Sequence, residues 1–244
     1  MSPDAQGTFT PSRELNLAAT FGYLGVESWQ LHRQDGGIWI ATRTPEGPAA
    51  FRLSQTGGTI EVKAWGHGAH WAVDHAPVLC GENDDDRAFE PEHPVLRRVH
   101  SAHPGMRMPR TEAVFEALLP TVIAQQVTGI EARDSYRHLV AALGEPAPGP
   151  ARLRLPPSPQ VLSKTPYWAF HRFGIERRRA DIVIRAARSA NRLEEIVAMD
   201  LPSAYERLRA FPGVGPWTAA KVATVALGDP DAVPVGDYHI PHSV

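Results

Sequence analysis

Two short stretches near the C-terminal end hold residues with chemical potential. The first runs Leu208-Arg209-Ala210-Phe211-Pro212-Gly213-Val214-Gly215-Pro216-Trp217-Thr218-Ala219-Ala220. Glycine tolerates positive φ and has no Cβ to obstruct a ligand, so Gly213 and Gly215 suit a tight turn that something must approach closely. Pro216 suits the first turn of a following helix, where a missing N–H costs nothing. The free N–H groups of that helix start, at the positive end of its dipole, can hold a phosphate oxygen. A hairpin of this kind, with Val214 between the glycines and Thr218 just inside the second helix, grips a nucleic-acid backbone without reading its sequence. A bare Gly-x-Gly between packed helices needs no ligand. The full order of apolar residue, Pro, Gly, apolar residue, Gly and helix start is far more specific.

The second stretch is Ala232-Val233-Pro234-Val235-Gly236-Asp237-Tyr238-His239, which sets a carboxylate in a small-residue loop after the helix. Taken alone, Asp237 is an ordinary loop aspartate. His67, His70, Asp74 and His75 are spaced like no metal-ligand pattern, so no metal site and no cofactor are expected. Cys80 is the sole cysteine. It can form neither an internal disulfide nor the four-thiolate ligation of an iron–sulfur cluster.

The elements around these stretches differ between the two ends of the chain. Ile38–Thr42, Ala49–Leu53 and Thr59–Trp65 read as strands separated by Pro45-Glu46-Gly47-Pro48 and Thr56-Gly57-Gly58 turns, which implies an antiparallel sheet. The polar run 81–94 suggests a boundary. Beyond it Val114, Phe115, Leu118, Leu119, Val122 and Ile123 recur at helical spacing, with Pro120 expected to kink that helix or mark its first turn. Residues 130–143, Tyr167–Phe173, Glu176–Ser189, Pro202–Ala210 and Pro216–Leu227 read as further helices, and the Pro-rich stretch 146–159 as an irregular connection. The expected class is α+β: a small sheet-bearing N-terminal domain, 1–92, followed by an all-helical domain, 93–244, with the helix-hairpin-helix at 202–227.

Charge divides the same way. Residues 1–92 carry 6 Lys/Arg against 13 Asp/Glu, and residues 93–244 carry 19 against 14, so a basic second half underlies the net charge of −2. No apolar run reaches the roughly 20 residues that span a bilayer. No basic-then-apolar leader opens the chain, so a cytoplasmic location is expected.

Phe211-Pro-Gly-Val-Gly, a helix, then Val-Pro-Val-Gly-Asp237-Tyr-His resembles the helix-hairpin-helix DNA glycosylases that carry a Gly/Pro-rich loop and an aspartate. Trp217-Thr218-Ala219 and Asp237-Tyr238 are most similar to the bacterial 3-methyladenine type. The resemblance implies a TATA-binding-protein-like sheet domain before a helical glycosylase domain. It also implies a base-excision-repair enzyme that flips an alkylated base out of double-stranded DNA and releases it. Asp237 takes the place of the catalytic aspartate. Relatives that also cut the strand have lysine two residues after the second hairpin glycine. Here that position is Trp217, and Lys221 lies a turn further on, so an enzyme without lyase activity is implied.

Gln126 occupies the place of the side chain that fills the gap left by the flipped nucleotide, or else is a polar helix terminus. Trp217 and Tyr238, then Tyr167 and Trp168, are the candidates for the base pocket, although packing in the core suits the last two equally well. Arg177, Arg178 and Arg179 either meet phosphates, Arg179 foremost, or form a solvated first turn. His239 and His242 either contact DNA or are structural. A monomer is expected. The chain ends at Val244, shortly beyond Asp237, where members of that family continue with further helices. The domain is therefore expected to be C-terminally short, with a loosened site. Rival readings are a glycosylase for oxidised or deaminated bases and a damage-sensing DNA-binding module without turnover.

Overall fold

A computed structural model describes residues 1–24, 32–238 and 240, so His239 and His242 lie outside the described residues. The described residues form two compact units: 1–24, 32–110 and 147–153 make the first, and 111–146 with 154 onward make the second.

In the first unit, β1 (Ala5–Phe9), β2 (His32–Gln34), β3 (Gly37–Thr44), β4 (Gly47–Thr56) and β5 (Thr59–Trp65) form one antiparallel sheet ordered β1-β5-β4-β3-β2. The three strands read from the sequence are its centre. The alternation in β5 is literal: Ile60, Val62 and Ala64 are buried, while Thr59, Glu61 and Lys63 are not. Helix α1 (Leu17–Tyr23) precedes β2, and α2 (Ala69–Leu79) packs on β1, β4 and β5. Cys80 follows α2 and is fully buried, which pushes its thiol far above the usual range. Helix α3 (Pro94–Ala102) buries none of its residues.

The unit ends at 110 rather than at 92, for a physical reason. The buried Arg107 guanidinium donates to Glu14 O (3.0 Å) and to Glu82 Oε2 (3.0 Å), the Arg107 backbone N–H donates to Thr20 Oγ1 (3.1 Å), and Met108 N–H donates to Asp84 Oδ2 (2.8 Å). The polar run that suggested a boundary supplies anchors through Glu82 and Asp84.

The second unit is helical around α4 (Val114–Ile123), all ten residues of which are buried. Pro120 lies inside α4 and does not end it. α4 has no side-chain cap of its own. Its Val114 and Phe115 N–H groups donate to the carboxylate of Glu194 (2.9 and 2.8 Å) at the end of α8 (Ala190–Glu194). Burial pushes that carboxyl above its usual range, and the two N–H bonds act against the shift. α5 (Gly129–Leu143) starts with a Thr128/Glu131 capping box. There follow a small pairing of β6 (Glu145–Pro146) with β7 (Arg154–Leu155), α6 (Pro159–Lys164), a 3₁₀ segment at Tyr167–Phe173, and α7 (Arg177–Arg188) before α8. α9 (Leu201–Arg209) and α10 (Pro216–Val222) complete the hairpin, and α10 runs on as a π turn over Ala223–Leu227. Helices α5, α7, α8 and α10 all pack on α4. A sheet unit and a helical unit together give the expected α+β class.

Candidate active site

The hairpin is built from its first helix upward. Asp200 caps α9, accepting from Ser203 N–H (2.9 Å) and Ser203 Oγ (3.1 Å). These bonds hold its carboxyl below the usual range. Ala204 and Leu208 bury the inner face of α9. The turn closes through Val214 N–H to Phe211 O (3.0 Å), and Val214 is buried.

Both sides of the turn are clamped. Gln125 Nε2 donates to Gly213 O (2.9 Å) and to Thr218 Oγ1 (3.0 Å), while Arg185 Nη1 donates to Pro212 O (3.1 Å). Gly213 has φ +96°, and a Cβ there would stand 2.5 Å from Ile182 Cδ1.

Gly215 does not use the positive φ that glycine allows. It is extended (φ −91°, ψ −177°) as the N-cap of α10, and a Cβ there would meet nothing within 4 Å. The fold therefore requires glycine at 213, but nothing among the described residues requires it at 215. The first-turn N–H groups of Trp217 and Thr218 have no acceptor within α10. Thr218's side chain is buried under Gln125, so Thr218 has only its backbone to offer a ligand.

The loop after α10 is pinned before it reaches Asp237. Gly228 ends the helix with φ +66°. Asp229 is then buried, its carboxylate accepting from Tyr205 Oη on α9 (2.7 Å) and from Asp231 N–H (3.0 Å). Burial and this bond keep the Tyr205 hydroxyl protonated well beyond its usual range. Gly236 takes φ +89°, and Asp237 N–H donates to Pro234 O (3.0 Å). The Asp237 carboxylate then accepts from the Trp217 indole N–H (2.8 Å) and from Ile240 N–H (3.2 Å). Hairpin and carboxylate meet across the indole bond.

The fold as a whole is shared with solved structures. The 3-methyladenine DNA glycosylase from Archaeoglobus fulgidus superposes with a TM-score of 0.78 at 20% identity, covering 95% of this chain and 83% of that one. The 8-oxoguanine glycosylase/lyase of Clostridium acetobutylicum, solved with double-stranded DNA, gives 0.73 at 17% identity, covering 100% and 85%. This is the fold of the helix-hairpin-helix DNA glycosylases.

Sequence relatives agree with the glycosylase fold. A Mycobacterium tuberculosis protein named a probable bifunctional transcriptional activator/DNA repair enzyme AlkA is 36% identical over 148 residues, which is 59% of this chain and 29% of that one. Escherichia coli DNA-3-methyladenine glycosylase 2 is 29% identical over 150 residues, 60% of this chain and 52% of that one. The chain thus aligns with about half or less of the length of these relatives. No family model matches it.

Within the glycosylase fold the other expected site residues separate. Gln126 is exposed in the turn after α4 and takes φ +57°, a conformation rare for a side-chain-bearing residue. Tyr238 is 77% exposed beside Asp237. Tyr167 and Trp168 line a groove against α7 that neither Trp217 nor Asp237 lines.

Arg179 is not a phosphate ligand in this arrangement. It is buried, and its guanidinium donates to Ile123 O (2.6 Å) and Gly174 O (3.1 Å), satisfying carbonyls at the ends of α4 and of the 3₁₀ segment. Its spacing carried the signal, three residues before the buried Ile182 and seven before the buried Ala186. The Asp229–Tyr205 anchor was missed altogether, as was Gln125 as the hairpin's clamp. In the first unit His75 stacks on Trp71 (ring centroids 4.1 Å apart), and among the described residues no three His, Cys, Asp or Glu side chains gather as metal ligands.

Proposed function

We propose that this chain is a monofunctional DNA N-glycosylase that hydrolyses alkylated bases of the 3-methyladenine type from duplex DNA. The observation that carries the reading is the Trp217–Asp237 bond, which fixes a carboxylate directly behind the hairpin. The open backbone at Gly215 and the first turn of α10 hold a phosphate of the damaged strand. The damaged nucleotide swings out towards Trp217 and Tyr238, and Gln126 enters the gap in the duplex.

The bond from C1′ to the base nitrogen then breaks, and its electron pair leaves with the base. An alkylated purine already carries positive charge, so it departs without a dedicated acid. Positive charge grows on the deoxyribose opposite the ionised Asp237, which stabilises it. A water oxygen bonds to C1′ and gives its proton to Asp237, leaving an abasic site. No amine takes the position of Trp217. The Lys221 ammonium lies 6.0 Å from the Trp217 ring centroid.

Oxidised bases are the second reading, because the fold is shared with an 8-oxoguanine glycosylase/lyase. The sequence relatives favour alkylated ones. Among the described residues no helix is long and apolar enough to cross a membrane, and the proposed site of action is chromosomal DNA in the cytoplasm, with the protein acting as a monomer. The test is release of free methylated base from methylated duplex DNA, with strand breakage only after alkali and no adduct trapped by borohydride. DNA binding without any base release would overturn the catalytic reading in favour of a sensor. A borohydride-trapped adduct would overturn the monofunctional one.

A further inference from the structure

Helix α7 has two contact faces. One sets Ile182 against Gly213 and sends Arg185 to Pro212 O (3.1 Å), bracing the hairpin. The other, with the segment running from the end of α6 to Trp168, encloses an open groove of about 540 Å³. Three exposed cations line it, Lys164, Arg185 and Arg188. The single carboxylate there, Asp181, is approached by Arg177 at 3.7 Å. Trp168 is 64% exposed in this groove, so its indole contributes little to the core. Tyr167 beside it is half-buried under the Arg177 guanidinium, 4.5 Å from the ring centroid.

Cations around an exposed indole are complementary to one nucleic-acid form in particular. A duplex keeps its base faces stacked inside and offers only phosphates. A single strand offers phosphates and base faces together, and proteins that bind single strands combine a basic groove with aromatic platforms. We infer that this groove binds an unpaired segment of DNA adjoining the duplex held by the hairpin. Trp168 stacks on a base, and Lys164, Arg185 and Arg188 neutralise its phosphates. Arg185 touches both surfaces, which makes the groove a continuation of the hairpin's grip. This assignment rests on the hairpin being a DNA-binding element.

The experiment measures binding of the full chain to a labelled thymidine oligonucleotide of about 12 residues. Trp168→Ala is expected to weaken it about tenfold, and Trp168→Phe to retain most of the affinity, because a phenyl ring still stacks. Arg188→Gln, at an exposed position, is expected to lower the slope of log affinity against log salt by about 0.7. Unchanged binding by Trp168→Ala, or equal loss with Ala and Phe, overturns the stacking role. Equal weakening of blunt duplex binding, or equal affinity for a uridine oligonucleotide, overturns the assignment to single-stranded DNA. Because the readout involves no base release, an inactive protein that still binds in this way refutes the glycosylase reading alone. A parent chain that releases base but does not bind the oligonucleotide refutes only this one.

Discussion

The Trp217 indole N–H donates to Asp237 Oδ2 at 2.8 Å, joining the second residue of α10 to a carboxylate twenty positions later. In the proposed function, the helix that begins the DNA grip thereby also aims the reacting group. Trp217→Phe keeps an aromatic ring and removes the donor, so base release should fall by about tenfold or more, as expected for losing a bond to a charged group. DNA affinity should change little. Asp237→Asn should abolish release and also keep affinity within a few fold. Full activity in either variant would refute the role assigned to it.

The two hairpin glycines should separate in a stability assay. Gly213→Ala forces a Cβ into Ile182 at positive φ and should cost on the order of 2 kcal/mol. Gly215→Ala meets open space at an ordinary φ, so folding should lose less than about 1 kcal/mol. Duplex binding should nonetheless weaken for damaged and undamaged DNA alike. Thermal melting and duplex affinity, measured side by side, test both halves.

Gln126 adopts a left-handed conformation that glycine reaches without strain. Gln126→Gly should therefore leave the melting temperature unchanged or slightly raised, while base release from duplex DNA falls. The loss should be smaller when the damaged base sits opposite a mismatch, where less pairing must be broken. Equal losses on both substrates would remove Gln126 from the flipping step.

Asp200 predicts a pH effect with a defined sign. Its carboxyl is held below 3.8 by Ser203. The ionised cap therefore contributes stability fully above that pH, and the contribution is lost as pH falls through and below it. Asp200→Asn keeps a good cap but cannot titrate there. The difference in melting temperature between parent and variant should hold steady near neutral pH and shrink only as pH falls through and below 3.8. A constant difference would show that the Asp200 charge is not what stabilises α9.

Much of this was legible from local patterns. The strands Ile38–Thr42 and Thr59–Trp65 announce themselves by alternation, and the hairpin by its glycines and Pro216. Other features depend on partners far away in sequence. Nothing near Asp229 indicates that Tyr205 will bury it, and nothing near Val114 indicates that Glu194 will cap α4. Arg177, Arg178 and Arg179 look alike as a run, and only the phase of α7 separates the buried third arginine from its neighbours. Gly215 suits both a positive-φ turn and a close approach, because sequence shows a glycine without showing its φ. The extended conformation observed there moves the reason for glycine from the chain to whatever approaches it.

The burial of Cys80 has a consequence for the conditions under which such a protein would work. Electrophiles that methylate DNA bases also consume protein thiols, and they react with the thiolate rather than the thiol. This chain's only sulfhydryl is sealed behind α2 and held protonated by its surroundings. A dose of methylating agent that fills a chromosome with lesions would leave that sulfur unreacted. That thiol would thus be shielded from the agents that generate the proposed substrate.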